Sequence, residues 1–174
     1  LQNTGKQEGL TTDCLPAKFV DMKKLILWLA GILYFGSMAY VIFFLPRRSG
    51  VDVQFMRSVA NLTPVIHKIQ FWTSPIDDPR YIYRFFEDFI GNILMFMPYP
   101  FFLYFLFDIK NKFSILLYAF TLSSGIELVQ YIRGIGVTDI DDVLLNTFGA
   151  YLGILLVQVF RKWKWAMDFF ELPT

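Results

Sequence analysis

Four long apolar runs constrain this chain more than any other feature. The first, residues 25–45, holds no charged residue and ends at Pro46-Arg47-Arg48. As an α-helix it is about 30 Å long, the thickness of a bilayer's hydrocarbon core. It is longer than the apolar stretch of a cleaved signal peptide, roughly 7–15 residues, and no small-residue cleavage site follows, so it reads as a retained helix. The second run, residues 89–107, contains Asn92, Pro98 and Pro100. A membrane helix tolerates such a kink because neighbouring groups re-satisfy the freed carbonyls. The third, residues 113–132, holds Ser123, Ser124, Glu127 and Gln130, and the fourth, residues 143–160, holds Asn146, Gly149 and Gly153. The fold class expected is an all-α membrane bundle of four transmembrane helices.

Composition agrees. Hydrophobic residues make up 55% of the chain and charged residues 18%, against about 45–50% and 25% in soluble domains. The 174 residues suffice for one compact domain. A net charge of +1 provides no basic stripe and argues against a nucleic-acid partner. Cys14 is the one cysteine, so no intramolecular disulfide forms, and His67 is the one histidine, too few ligands for a zinc site. Nothing in the sequence implies a cofactor or a metal.

Residues 1–21 are polar and aperiodic and are expected to form a disordered tail. Met22-Lys23-Lys24 ahead of the first run has the form of a membrane-protein start, so residues 1–21 are expected to be either a non-native extension or a native tail of no special role. The transmembrane domain is expected over residues 22–165, with a C-terminal tail over 166–174. Between the first two runs, residues 47–87 scatter charges among Val, Phe, Ile, Trp and Tyr, too long a stretch for a bare connector. Val51, Phe55, Met56 and Val59 recur at helical spacing, and Trp72, Tyr81 and Tyr83 favour the headgroup zone. This segment is expected to lie on the membrane surface, partly helical, broken at Pro64 and Pro75, with His67 interfacial.

Four spans put both termini on one side. Lys23, Lys24, Lys110, Lys112, Arg161, Lys162 and Lys164 flank that side, whereas the opposite short loop, residues 133–142, has one Arg and three Asp. Positive-inside counting therefore favours cytoplasmic termini, and the basic residues of the long connector count against it.

The polar residues inside the spans carry the functional signal. A carboxylate near a helix centre costs about 2.5–3.5 kcal/mol on insertion scales, less near an end, and usually faces the bundle interior. Glu127 and Gln130 are i,i+3 neighbours, and Arg133 is expected to continue their stripe and to neutralise Glu127 or an Asp. Thr138 with Asp141 has capping-box spacing, and Asp139 is an alternative N-cap for the fourth helix. Asp139, Asp142, Asn146 and Gly149 then follow at i, i+3, i+7 and i+10, one helix face. Gly149 and Gly153 form a GxxxG pair suited to close packing of membrane helices. Asn92 is expected within one turn of the second helix's start, so that all these positions converge at one membrane interface. Each residue also has a plainer role: the acids as complements of the helix dipole, Asn92 and Asn146 as interhelical hydrogen-bonding groups, the glycines as packing.

The stretch IELVQYIRGIGVTDIDDVLLNTFGAYLG, with its Glu-x-x-Gln pair, Arg, Asp-x-x-Asp, Asn-Thr and Gly, resembles the signature of the VanZ-like family. DFIGNILMFMPYPFFL is similar to that family's Asn-containing, Phe-x-Pro helix, departing from it at Tyr99 and at Pro100, where Gly is usual. RSVANLTPV resembles its Asn-Leu-x-Pro segment through Arg57, Asn61 and Pro64. The resemblance implies a multi-pass protein of the bacterial cytoplasmic membrane, in a family named for an accessory protein of low-level teicoplanin resistance. It leads to the expectation of a non-enzymatic cell-envelope protein. Its cluster of Asn92, Glu127, Gln130, Arg133, Asp139, Asp142 and Asn146 would bind a membrane lipid headgroup, a lipid-linked cell-wall precursor, a glycopeptide or a partner. Two alternatives stay open. One is an intramembrane enzyme acting on a polyprenyl-linked phosphate or sugar, with Glu127, Asp139 and Asp142 as candidate catalytic carboxylates. The other is a small transporter working as a homo-oligomer, paired through Gly149 and Gly153.

Overall fold

Each apolar run becomes helix, and the ends of the helices are set by local chemistry. The computed structural model describes residues 17–44, 54, 58, 60–63, 79–135 and 138–162, and of residues 17–21, 81 and 84 the backbone alone. Helix α1, Ala17–Phe44, begins ahead of Met22, so residues 17–21 are helical where a disordered tail was expected. Residues 1–16, the C-terminal tail and most of the 47–87 segment, with Pro64, His67, Trp72 and Pro75, lie outside the described residues.

Helix α2, Pro79–Phe96, starts earlier than the second apolar run. Pro79 opens it with a φ already suited to a helix and no N–H to leave unpaired. No Gly or Pro follows until Gly91, so the end of the expected surface segment is the first two turns of a continuous helix instead. That helix ends at Met97-Pro98, and helix α3, Tyr99–Leu106, resumes the crossing. Pro98 and Pro100 supply no N–H, and the chain re-pairs around them: Met97 N–H donates to Ile93 O (3.1 Å) and Phe101 N–H to Pro98 O (3.1 Å). The hydroxyl of Tyr34 in α1 donates to Met95 O (2.7 Å), supplying a donor from a neighbouring helix where the break interrupts the main-chain ladder.

A short loop follows in which Asp108 takes a left-handed conformation (φ 54), one that Asp tolerates better than most residues. Asn111 then caps helix α4, Lys112–Arg133, its side-chain oxygen accepting from Phe113 N (2.9 Å) and Ser114 N (3.2 Å). Gly134, at φ 62, closes α4 by donating to Gln130 O (2.8 Å). Helix α5, Ile140–Arg161, has Asp139 as its N-cap, Oδ1 accepting from Asp141 N (2.8 Å); Thr138 does not fill that role.

Helix α5 is the centre of the bundle and packs on α2, α3 and α4. Its buried side chains run its whole length, from Asp141 and Val143 through Asn146, Gly149 and Gly153 to Val157. Helix α1 is peripheral. It leans on α3 through the stacked rings of Tyr34 and Phe102 (5.0 Å) and edge contacts of Phe35 with Tyr99 and Trp28 with Phe107. The outward faces carry exposed Leu33, Phe44, Phe113, Leu128 and Phe148, a distribution suited to acyl chains rather than water. Four segments, Met22–Phe44, Phe85–Leu106, Lys112–Arg133 and Ile140–Arg161, are long and apolar enough to cross a membrane.

The glycines set the closest approach. A Cβ at Gly149 would collide with the Ile93 carbonyl, and one at Gly153 with the Met97 carbonyl and the Pro100 ring. Equal four-residue steps on both helices mean that α2 and α5 run in the same direction. Pro100, where the sequence departs from its family's usual Gly, is fully buried against Gly153, so the packing there stays close. Gly125 has open space around it. Gly149→Leu is therefore expected to destabilise the protein by about 1–3 kcal/mol or more through overpacking, while Gly125→Ala leaves stability unchanged or raised. Thermal unfolding of the purified protein in detergent, followed by size-exclusion chromatography, measures both.

Candidate functional site

The turn between α4 and α5 is built around one carboxylate. Glu127, only 7% exposed, lies in the second-last turn of α4. Its Oε2 accepts from the Asp139 backbone N–H (2.9 Å), and its main-chain oxygen accepts from the Thr138 hydroxyl (3.3 Å). Asp139 in turn uses Oδ1 twice, for Asp141 N–H (2.8 Å) and for the side-chain amide of Asn61 (2.8 Å). Asn61 arrives from the connector between α1 and α2 and pairs with Asp139 as an isolated parallel β-bridge. Its N–H donates to Thr138 O (2.8 Å) and its carbonyl accepts from Ile140 N–H (3.0 Å).

Helix α5 thus begins with its first donors paired: Ile140 by Asn61 O, Asp141 by the Asp139 side chain, Asp142 by Asp139 O (3.1 Å). A helix start leaves such donors orphaned, and near a bilayer each needs a partner. Asn61 suits its place because it offers a donor and an acceptor at once. Its Nδ2 goes to Asp139 while its Oδ1 accepts from Thr63 N–H (3.1 Å) and Oγ1 (3.0 Å). Asn61 is the site residue that pattern reading missed. Its only signal in the sequence is the RSVANLTPV resemblance, since its partner lies 78 positions away.

One to two turns deeper, Asn146 donates to Ser123 Oγ (2.8 Å), both side chains buried, joining α4 to α5. The carbonyl oxygen of Asn146 has no hydrogen-bond partner among the described residues. Asp141 is buried to 3% exposure beside Asp139, and Asp142 is half-buried.

Not every expected member joins this cluster. Six residues of α-helix rotate Arg133 about 120° from Glu127, so the stripe does not continue. Arg133 is exposed, and it forms no ion pair with Glu127 or an Asp among the described residues. Gln130 is half-buried and, among the described residues, hydrogen-bonds to the turn through its backbone oxygen. Asn92 is not within one turn of its helix start. Its neighbour Ile93 faces Gly149, which puts Asn92 about 9 Å deeper than Asp142 at 1.5 Å per residue. Among the described residues no three His, Cys, Asp or Glu side chains are grouped as metal ligands.

The fold and this turn define a polytopic four-helix membrane protein with a hydrogen-bonded polar cap at one end. The VanZ/LLP1 family matches residues 31–161, and the chain belongs to that family. It is similar to Protein VanZ of Enterococcus faecium, 34% identical over 77 residues, a match spanning 44% of this chain and 48% of that protein. The chain thus matches about half the length of this relative. No solved structure matches.

Glu127→Ala is expected to leave the Asp139 N–H unpaired and to cost about 1–3 kcal/mol. Glu127→Gln, whose amide oxygen accepts in the same place, is expected to keep the unfolding temperature close to that of the unchanged protein. Thermal unfolding of the two variants side by side separates an acceptor role from a need for negative charge.

Proposed function

We propose that this chain is a non-enzymatic protein of the bacterial cell envelope. Its polar cap binds the headgroup of a lipid or a lipid-linked cell-wall precursor, and it lowers susceptibility to teicoplanin. The observation that carries the reading is the employment of the carboxylates. A catalytic Glu127 or Asp139 would need to be poised to exchange a proton with substrate; here both hold main-chain N–H groups of the turn. Both are tied into the turn, and Arg133 is exposed at the C-terminal end of α4, on the same end of the bundle. A guanidinium is suited to bidentate recognition of phosphate, the group that lipid headgroups and polyprenyl-linked precursors share.

The termini are proposed to be cytoplasmic, which turns the cap outward, where a glycopeptide meets its target. The support is charge: Lys110, Lys112, Arg161 and Lys162 sit at the terminal side of the bundle, with Lys23 and Lys24 at the start of the first span, Met22–Phe44.

Expression in a susceptible Gram-positive host is expected to raise teicoplanin tolerance, read as the minimum inhibitory concentration. Arg133→Ala is expected to remove the gain while the protein still reaches the membrane in normal amount, and Glu127→Gln to retain it. Unchanged tolerance with the correctly inserted parent protein contradicts the proposal, and loss of the gain in Glu127→Gln alone returns the carboxylate to a chemical role. A single cysteine at Val137, with Cys14→Ser, reports orientation: an impermeant maleimide is expected to label it in intact cells.

A further inference from the structure

The opposite end of the bundle holds a second charged feature, which enters the proposed function only as a guide to orientation. There the end of α3, the loop from Phe107 to Asn111, the start of α4 and the end of α5 come together. Among the described residues this corner carries Lys110, Lys112, Arg161 and Lys162 against one carboxylate, Asp108, an excess of three positive charges. Lys110 Nζ lies 2.7 Å from Asp108 Oδ1, a hydrogen bond that holds its ammonium above the ordinary lysine range. Arg161 is near enough to Lys110 to work against it.

Two of the other cations are positioned by neutral groups. The guanidinium of Arg161 rests over the Tyr104 ring at 5.3 Å. Lys112 Nζ donates to Gln158 Oε1 (3.3 Å), and the Gln158 side chain is anchored in turn by Nε2 donating to Ile154 O (3.2 Å). An aromatic face and an amide oxygen orient a cation without neutralising it. The side-chain ordering that binding demands is therefore already in place for one cation on α4 and one on α5, while the charge remains available. All four cations are exposed or at the ends of spans, the depth at which phosphates of a bilayer lie.

We propose that Lys112 and Arg161, held by Gln158 and Tyr104 and backed by Lys110 and Lys162, form a binding site for the phosphate of an anionic phospholipid. The chemistry recognised is a phosphodiester without a compensating ammonium, such as phosphatidylglycerol. The neutral-at-headgroup phosphatidylcholine offers the same phosphate with a bulky cation attached, and repulsion from four basic groups disfavours it.

The test uses the full-length protein in detergent, with phosphatidylglycerol, phosphatidylcholine and inorganic phosphate as probes. Native mass spectrometry counts bound lipid, and thermal unfolding reads its effect. Phosphatidylglycerol is expected to be retained as a discrete adduct and to raise the unfolding temperature more than phosphatidylcholine does. Lys112→Gln with Arg161→Gln is expected to weaken it about thirtyfold, the effect of two basic charges at a lipid surface. Arg80→Gln, a charge removed at the other end, is expected to change nothing. Equal retention of the two lipids by the unchanged protein overturns the site, and that measurement stands even where the double variant fails to fold. An equal loss in Arg80→Gln shows general charge attraction and overturns it too. The same stabilisation by inorganic phosphate replaces the lipid with a free anion.

Discussion

A backbone donor that enters the membrane unpaired is expensive, and the Glu127 carboxylate resolves that problem at the turn between α4 and α5. It takes the Asp139 N–H and thereby fixes the geometry of the turn between α4 and α5. With that turn fixed, Asp139 is placed to cap α5, and its side chain is presented to Asn61. The connector between α1 and α2 is thus stitched to helices far away in sequence by main-chain and side-chain bonds at one residue. Removing the acceptor would free a donor on the turn, loosen the cap and release the connector together, so these hydrogen bonds act as a unit rather than as separate contacts.

Below the cap the bundle is held by shape. The hydrophobic effect does not drive helices together in lipid, so close contact must come from packing and from interhelical hydrogen bonds. Gly149 and Gly153 let α5 lie directly on the backbone of α2, and the proline break then turns carbonyls such as Met97 O toward the glycine surface. Ser123 and Asn146 provide the polar link on the other flank of α5. Helix α1 needs less specificity: aromatic rings and the Tyr34 hydroxyl hold it to the kinked segment, and most of its surface is left to lipid.

The sequence made the four spans legible because twenty or so apolar residues have few other uses, and the GxxxG spacing drew attention to the face that α5 turns to α2. Where it misled, the reasons are physical. The charges of residues 80–88 disguised the start of α2 as a surface segment, although charged residues in the first turns of a membrane helix simply sit at headgroup depth. Counting by threes placed Arg133 beside Glu127, but two successive steps of i+3 drift around a helix with 3.6 residues per turn. Both Thr138 and Asp139 had the chemistry of an N-cap, and tertiary bonds separate them: the Thr138 hydroxyl is given to Glu127 O, while the Asp139 N–H is held by the Glu127 carboxylate. Asn61 was beyond local reading altogether, because a residue whose partners are remote leaves no periodicity behind.

The two ends of the molecule therefore differ in how they use charge. At the cap, the Glu127 and Asp139 carboxylates accept main-chain N–H groups inside the fold; at the terminal side, cations are oriented but left with charge to offer. At the cap, Asn61 and Asp139 are coupled members of one hydrogen-bonded unit. A double-mutant cycle on Asn61→Ala and Asp139→Ala, read by unfolding free energy in detergent, tests it most directly. A coupling energy of about 0.5–3 kcal/mol is predicted for residues that share such a network. Additive effects, with no coupling beyond error, would contradict the account.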